Sequence, residues 1–258
     1  MSKNVIITGG SSGIGAALAR ELGGRGWSLA LLARRAEALD QVRASLPGKA
    51  VAIACDVTDS AAVERAVRRG EAELGGTFDL AVANAGVGIP GHATKFNLAD
   101  AEQTIRVNVL GMIYLFAATI PSMVDRRSGR FAGIASVAGL RGLPTAAAYS
   151  ASKAAMQAFL EASRIELAPY GVGVTTVNPG FIATAMTEKN KYKMPFLMHA
   201  DEAAKVIADG IERGKRVVQF PLATSLLMRF LRILPDAIYD RITAPQARRK
   251  IDPSKVKR

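Results

Sequence analysis

Two residues with acid–base chemistry, Tyr149 and Lys153, stand four positions apart in a segment with a helical pattern. On a helix, residues at this spacing lie on one face, which makes the phenol and the ammonium neighbours. An ammonium beside a phenol stabilises the phenolate, so the tyrosine can exchange a proton near neutral pH. Interconversion of alcohols and carbonyls needs such a group. The same spacing is common on solvated helices, and the other motifs of the chain decide between the two interpretations.

A glycine-rich turn follows an apolar run at 4–8 and opens a helical segment. Glycines there let the backbone approach a pyrophosphate, and the helix N-terminus favours its negative charge. The spacing Gly9-x-x-x-Gly13-x-Gly15 differs from the commoner G-x-G-x-x-G fingerprint. A purely structural strand-to-helix connection is the alternative. The strand–turn–helix context favours a phosphate-binding turn made of Thr8, Gly9, Ser11, Ser12, Gly13, Ile14 and Gly15.

The second apolar run ends in Ala33, Arg34 and Arg35. In dinucleotide-binding sheets an acidic residue at this place holds the ribose 2′-hydroxyl of NAD, whereas a guanidinium suits the 2′-phosphate of NADP. The arginines could instead be a solvated helix start, although cations are mildly unfavourable at a helix N-terminus. The pattern therefore predicts NADP, held at its 2′-phosphate by Arg34 and Arg35.

Apolar β-rich runs alternate with helical patterns along the chain. The runs lie at 4–8, 27–33, 50–55, 78–84, 130–135, 172–177 and 216–220, and the helical patterns near 13–24, 36–46, 60–74, 97–120, 149–168 and 201–212. Nearly continuous apolar strands separated by helices indicate a parallel sheet covered on both faces. With no internal repeat and no linker, we expect a single α/β domain over residues 1–220 and a tail over residues 221–258.

The composition is typical of a protein with a buried core in a reducing compartment. The apolar fraction is 49%, enough for a buried core, and Cys55 is the one cysteine, which fits a reducing, cytoplasmic compartment. No signal peptide and no run of 18 apolar residues is evident, so no membrane span is expected. His92 and His199 lack metal-like or triad-like spacing, and no metal site is predicted.

Positive charge is concentrated in the tail. The net charge is +12; residues up to Glu212 hold 22 basic and 19 acidic side chains, and those from Arg213 onward hold 12 and 3, a net +9. A near-neutral body argues against a nucleic-acid-binding protein with a basic working face. The distribution indicates a basic appendage that meets anionic lipid, an acidic partner, or only water.

The tail sequence predicts a short basic amphipathic helix that stops at Pro235 and is followed by a second short apolar segment. Its apolar residues recur every four positions, at Leu222, Leu226, Phe230 and Leu234, with Leu227 and Leu231 beside them, and Ser225, Arg229 and Arg232 fall on another face. Such a helix can lie in a membrane interface or pack over a subunit or the active-site mouth. Its apolar stripe is too short to span a bilayer.

Taken together, the motifs resemble the short-chain dehydrogenase/reductase family. The matching pieces occur in family order and spacing over residues 1 to about 220: Thr8-Gly9-x-x-x-Gly13-Ile14-Gly15, Asp56-Val57, Asn84-Ala85-Gly86, Asn108, Ser136, Tyr149-x-x-x-Lys153 and Pro179-Gly180 with Thr184. The resemblance implies a Rossmann-type, doubly wound parallel sheet of about seven strands. It also implies NAD(P)-dependent oxidation or reduction.

The resemblance assigns catalytic roles to four residues. Tyr149 is the acid/base, and Lys153 lowers its pKa and holds the nicotinamide ribose. Ser136 orients the carbonyl, and Asn108 organises a water that relays protons to solvent. Considered singly, Ser136 is more typical of a strand-end hydrogen bonder and Asn108 of a helix kink.

Further cofactor contacts follow from the resemblance at the strand ends. Asp56 and Val57 contact the adenine ring. The fourth strand ends beside the cofactor at Asn84, Ala85 and Gly86, with Asn84 mainly structural, and the nicotinamide end holds Pro179, Gly180 and Thr184. Alternatively, Asn84-Ala-Gly is a tight turn and Asp56 is a helix N-cap, although Asp59 and Ser60 are better placed for capping.

The predicted function is NADP-dependent interconversion of a carbonyl and a secondary alcohol on a small, mainly hydrophobic molecule. By the resemblance, mostly apolar loop residues surround the substrate: Val87, Ile89, Leu140, Leu143, Phe181 and Met186. Residues 181–200 form a predicted lid, whose lysines Lys189, Lys191 and Lys193 either are solvated or attract an anionic substrate.

Two other functions remain open. One is reduction of 3-oxoacyl thioesters on an acyl carrier protein or CoA, although the chain lacks the Gly-rich ending typical of the acyl-carrier-protein reductases. The other is a non-catalytic NADP-sensing regulator, a class that usually loses the tyrosine or the lysine. The helices near 97–120 and 149–168 are apolar on more than one face, which indicates a homodimer or homotetramer or, alternatively, deep core positions.

Overall fold

The computed structural model describes residues 3–188 and 194–248. Its strands are β1 (Asn4–Thr8), β2 (Ser28–Ala33), β3 (Ala50–Ala54), β4 (Leu80–Ala83), β5 (Gly129–Ile134), β6 (Val172–Pro179), β7 (Ile182–Ala183), β8 (Met198–His199) and β9 (Val217–Phe220). Seven of them form one parallel sheet in the order β3-β2-β1-β4-β5-β6-β9, and β7 pairs with β8 alone. The predicted doubly wound sheet is confirmed, and each of its seven strands lies within two residues of its predicted bounds.

Helices cover both faces of the sheet. They are α1 (Gly13–Gly24), α2 (Ala36–Ala44), α3 (Ser60–Leu74), α4 (Leu98–Ile105), α5 (Gly111–Asp125), α6 (Ala147–Leu167), α7 (Ala185–Glu188), α8 (Ala200–Glu212), α9 (Leu222–Ile233) and α10 (Asp236–Arg248). On β1, the fully buried Val5 and Ile7 face the core beneath α1 and α8, whereas Ile6 faces the core shared with α3, α5 and α6. Because side chains alternate along a strand, burial on both faces makes the run continuously apolar.

The segment at 97–120, which the sequence predicts as one helix, consists of two α-helices with a π-helical turn between them. A π-helical turn, Arg106–Leu110, separates α4 from α5, and α5 continues past Pro121 to Asp125. The helix extends beyond the proline because Met123 in its last turns is fully buried. By length and mean hydropathy of 1.7, the stretch Leu98–Asp125 would also suit a bilayer. In this fold α5 packs on α3, β4 and β5, and the stretch serves as a covering layer of the sheet.

The tail forms the two helices α9 and α10, separated at Leu234 and Pro235. Helix α9 packs on the body through Thr224, Ser225 and Met228. Most of the apolar stripe that the sequence predicts as an amphipathic cover lies on the other side of the helix, where Leu222, Leu226, Leu227 and Phe230 are exposed to solvent; Leu231 and Leu234 are partly buried. Thus the predicted helix is present, but it contacts the body through two small polar residues and one methionine.

Candidate active site

A cleft of about 380 Å³ lies at the carboxyl ends of the strands. The sheet order reverses between β1 and β4, and in open α/β sheets such a switch point leaves a crevice for ligands. Most predicted site residues line this cleft: Gly9, Ser11, Ser12, Gly13, Ile14, Arg34, Arg35, Asp56, Val57, Asn84, Ala85, Gly86, Ser136, Tyr149, Lys153, Pro179, Gly180 and Thr184. The other three, Thr8, Gly15 and Asn108, lie behind its wall.

The glycine turn is built to keep its backbone close to the cleft. Gly9 has a φ of 68°, a conformation that side chains disfavour, and a Cβ at Gly15 would lie 2.3 Å from the Gly9 carbonyl oxygen. Asn84 fixes the turn by donating from Nδ2 to the carbonyl oxygens of Thr8 at 2.9 Å and Gly9 at 3.2 Å. The hydroxyl of Thr8 accepts from the backbone N–H groups of Asn84 and Ala85 at 3.0 and 3.1 Å. This cradle, at the N-terminus of α1, fits the pyrophosphate of a dinucleotide.

Arg34 and Arg35 lie where β2 gives way to α2, at one end of the cleft. Arg35 Nη2 is 3.4 Å from the hydroxyl oxygens of both Ser11 and Ser12. The guanidinium groups and the phosphate-binding turn therefore share one edge of the cleft, where a ribose phosphate fits their donors.

Asp56 holds its own turn and does not cap the next helix. Its carboxylate accepts from the backbone N–H and the hydroxyl of Thr58, both at 2.9 Å. The backbone hydrogen bond is the main reason that the pKa of Asp56 is lowered, and Arg34 adds a smaller contribution. The cap of α3 is Asp59, which accepts from Ala62 N at 3.0 Å. Asp56 is thereby left at the cleft wall.

Tyr149 and Ser136 meet at the other end of the cleft. Ser136 follows β5, and its Oγ accepts from Ala138 N at 3.1 Å. Burial raises the pKa of Tyr149, while a hydrogen bond with Ser136 acts in the opposite direction. This arrangement does not produce the lowered tyrosine pKa that the sequence predicts, because desolvation outweighs the stabilising contacts of the phenolate.

Lys153 is a buried cation with few partners. Its Nζ donates to the Ile134 carbonyl oxygen at 2.7 Å, contacts Met156 Sδ at 3.5 Å, and lies 5.7 Å from the centroid of the Tyr149 ring. Within residues 3–188 and 194–248, no carboxylate forms an ion pair with it. Desolvation therefore lowers the pKa of Lys153 to about 7. The ammonium points into the cleft as a donor that readily changes its protonation state near neutral pH.

Asn108 lies fully buried in the π-helical turn, behind the catalytic candidates. Its Oδ1 accepts from Val87 N at 2.8 Å, and its Nδ2 donates to Val87 O and to Ser152 Oγ, each at 2.9 Å. These bonds tie the loop after β4 to α6. Its expected role in a proton relay stays a prediction.

Several lining residues are absent from the sequence prediction. They flank predicted ones at the strand ends or in the lid: Cys55, Val107, Ile134, Ala135, Ile182, Ala185 and Thr187. Most of them are close in sequence to Asp56, Asn108, Ser136 or Thr184, and this closeness is the sequence feature that could have identified them as lining residues. Among the expected substrate walls, Val87 and Met186 line the cleft, whereas Ile89, Leu140, Leu143 and Phe181 do not. The lid lysines Lys189, Lys191 and Lys193 lie outside the described residues.

Comparisons with known proteins agree with this geometry. A family model described as short chain dehydrogenase matches residues 3–195. An uncharacterized oxidoreductase of Myxococcus xanthus (strain DK1622) is 37% identical over 241 residues, 92% of this chain and 95% of that protein. Ketoacyl reductase HetN of Nostoc sp. (strain PCC 7120) is 33% identical over 199 residues, 76% of this chain and 69% of that protein.

A solved structure gives the same result for the fold. The crystal structure of a short-chain dehydrogenase from Streptomyces avermitilis matches with a TM-score of 0.79 at 26% identity, over 97% of this chain and 98% of that one. The chain therefore belongs to the short-chain dehydrogenase family and is an NAD(P)-dependent oxidoreductase.

Proposed function

We propose that this enzyme uses NADP to interconvert a carbonyl and a secondary alcohol on a small, mainly hydrophobic molecule. The observation that carries the proposal is the placement of Ser136, Tyr149 and Lys153 at one end of a cleft whose other end holds Arg34 and Arg35. A proton-exchanging site and a phosphate-binding site thus face one continuous space. Such a pairing fits chemistry in which a nucleotide cofactor works beside an acid/base.

The residues of the cleft fit NADP along its length. Arg34 and Arg35 bind the 2′-phosphate, and the turn at residues 8–15 binds the pyrophosphate. Other contacts fall to Asp56, Val57 and Asn84-Ala85-Gly86 on the adenosine side and to Lys153, Pro179, Gly180 and Thr184 at the nicotinamide end. When bound, the nicotinamide supplies or accepts the hydride.

Tyr149 handles the proton of the reaction. Its hydroxyl donates to the substrate oxygen during carbonyl reduction and takes the proton back during alcohol oxidation. The raised pKa of Tyr149 keeps the phenol protonated, which suits a donor. Ser136 holds the same oxygen by a second hydrogen bond, and Lys153 orients the ribose. Asn108 secures the loop beside them.

The nature of the substrate follows from the cleft walls. Val87, Val107, Ile182 and Met186 are apolar and line the same cleft as Tyr149. Burying apolar ligand surface against them is favourable by about 25 cal/mol per Å². This wall supports a hydrophobic carbonyl or alcohol as the substrate.

Reduction of 3-oxoacyl thioesters is the second candidate. Its support is the Nostoc relative, whose name is ketoacyl reductase. A non-catalytic NADP sensor is disfavoured, because Tyr149 and Lys153 are both present and both line the cleft.

A substrate screen tests the proposal. Loss of NADPH absorbance is followed with ketosteroids, retinoids, small diketones and acyl thioesters, with Tyr149→Phe as the inactive control. We expect turnover of a hydrophobic ketone by the unmodified enzyme only. Turnover confined to acyl thioesters would replace the first candidate by the second, and equal turnover in Tyr149→Phe would reject the role of the phenol.

We further propose a cytoplasmic homodimer or homotetramer. Ile105 of α4 and Ile165 of α6 are exposed apolar residues on the helices that the sequence predicts to have a second apolar face. Light scattering coupled to gel filtration gives the oligomeric state, and a monomer would contradict this part of the proposal.

A further inference from the structure

Helix α9 presents its large apolar side chains to solvent. Five of them are between 47% and 77% exposed and form what we term the α9 apolar face: Leu222, Leu226, Leu227, Phe230 and Ile233. The buried side of the helix is the opposite one, with Thr224, Ser225 and Met228. Soluble monomers rarely expose apolar patches larger than a few hundred Å², and larger ones mark protein or membrane contacts. We therefore expect the α9 apolar face to bind another molecule or a membrane.

The orientation of α9 is fixed by specific contacts with the body. Arg141 donates from Nη1 to the carbonyl oxygens of Arg232 and Leu234, both at 3.0 Å, at the C-terminal end of α9. Its guanidinium lies 4.3 Å from the centroid of the Tyr239 ring on α10, and the Tyr239 hydroxyl donates to the Gly142 carbonyl oxygen. These bonds hold both tail helices to one loop, so the α9 apolar face points outward as part of a fixed structure.

Charge identifies the chemistry of the occupant. Arg229 and Arg232 are exposed beside the α9 apolar face, and residues 221–258 hold nine basic and three acidic side chains, a net charge of +6. The sequence after α10 adds five basic residues against one acidic, namely Arg249, Lys250, Lys255, Lys257 and Arg258 with Asp252. Apolar side chains flanked by cations are typical of helices that lie in the interface of an anionic membrane.

A second copy of the chain fits this surface less well. In a two-fold interface centred on α9, two copies of the same helix would meet, and the sequence Leu222–Ile233 holds two arginines and no acidic residue, so neither copy offers a carboxylate to the arginines of the other. Like charges opposed across an interface are unfavourable. An anionic lipid surface, in contrast, neutralises the arginines and buries the leucines and the phenylalanine at once.

We propose that the α9 apolar face docks this enzyme on anionic lipid bilayers. The helix lies in the plane of the interface, with Leu226 and Phe230 inserted and Arg229 and Arg232 on the lipid phosphates. Docking also brings the active site near the bilayer. A Cβ at Gly180, which lines the cleft, would lie 3.1 Å from atoms of Pro221 and Thr224 at the start of α9.

Vesicle sedimentation tests the proposal on the full chain. Vesicles of phosphatidylcholine with about 30% phosphatidylglycerol are compared with pure phosphatidylcholine, at about 0.1 M and about 1 M salt. We expect binding to the anionic vesicles at low salt, and at least tenfold weaker binding at high salt or on neutral lipid. The double substitution Leu226→Gln with Phe230→Gln, and separately Arg229→Gln with Arg232→Gln, should each weaken binding at least tenfold.

The matched control is Phe96→Gln with Leu98→Gln, which removes the same two residue types at 64% and 63% exposure elsewhere on the surface. This control should bind vesicles like the unmodified protein, and all variants should retain turnover of a water-soluble carbonyl compound. No sedimentation of the unmodified protein, equal binding to neutral vesicles, or unchanged binding of the Leu226 and Phe230 variant would overturn the proposal. So would conversion of a dimer to a monomer by that variant, because the face would then be a subunit interface.

Discussion

Replacing Lys153 by methionine should stabilise the unliganded protein while it abolishes turnover. Lys153 is 4% exposed, and among the described residues its ammonium donates to the Ile134 carbonyl and contacts a thioether. Desolvation lowers its pKa from 10.5 to about 7. At about 1.4 kcal/mol per tenfold change in proton affinity, burial of this group costs roughly 4 kcal/mol at pH 7. Methionine has a similar length and no charge.

The substitution also removes a hydrogen bond, which reduces the gain. A buried carbonyl left without its donor costs about 1–3 kcal/mol. The net expectation for Lys153→Met is therefore an increase in the free energy of unfolding of about 1–3 kcal/mol at pH 7. Because the folded-state pKa lies below the unfolded value, the unfolded chain binds more protons between pH 7 and 10.5. The stability of the unmodified protein rises through this window, and the advantage of the variant shrinks.

Urea unfolding at pH 7 and about 9.5 measures both quantities. Trp27, the one tryptophan, is buried and reports the transition by fluorescence. Lys49→Met, at an exposed lysine, controls for the loss of a positive charge and should show no such pH-dependent gain. A stability difference between Lys153→Met and the unmodified protein that is the same at both pH values would refute the reasoning.

Four further predictions concern the cofactor, the proton, the turn and the tail. Arg34→Ala should weaken NADPH binding tenfold to a hundredfold and leave NADH nearly unchanged, since a charge-assisted contact contributes ~1.5–3 kcal/mol; fluorescence titration measures both, and equal affinities in the unmodified protein would contradict it. Tyr149→Phe should lose nearly all kcat while NADPH affinity stays within a few-fold by the same titration. Gly15→Ala should abolish cofactor binding, because its Cβ would lie 2.3 Å from the Gly9 carbonyl oxygen; calorimetry showing unchanged affinity would disprove this. Arg141→Met should lower the free energy of unfolding by roughly 1–3 kcal/mol and expose the tail to limited proteolysis, and an unchanged digestion pattern would show that α9 is held otherwise.

Local patterns in the sequence were sufficient for the sheet and for the order of the site motifs. A buried parallel strand such as 4–8 is apolar on both faces, and the glycine turn that follows it has few structural alternatives. The resemblance of spaced motifs then identified residues at the ends of four different strands. The structure brings Asp56, Asn84 and Ser136 to one cleft because the carboxyl ends of parallel strands meet at the same edge of the sheet.

The predictions that were wrong, namely the end of α5 and the lowered pKa of Tyr149, share a cause. Both depend on packing against residues distant in sequence. A proline at 121 favours a helix end, yet burial of Met123 carries α5 onward. Four-residue spacing indicates that Tyr149 and Lys153 share a face, but the depth of the cleft decides that desolvation raises the tyrosine pKa. Lys153 likewise turns to the Ile134 carbonyl, a partner that its own helix does not reveal.

The tail shows most clearly what the sequence determines by itself and what only the tertiary structure determines. Periodicity by itself determined that residues 222–233 form a helix with one apolar side, since that follows from 3.6 residues per turn. Which side meets the protein was decided by the tertiary structure. Arg141, in the loop that follows Ser136, bonds to the C-terminal end of α9, and Tyr239 of α10 bonds to Gly142 in the same loop. In the resulting orientation Thr224 and Ser225 lie inward and Leu226 and Phe230 lie outward. Helical periodicity is a property of the segment, whereas its orientation depends on hydrogen bonds to residues about ninety positions away.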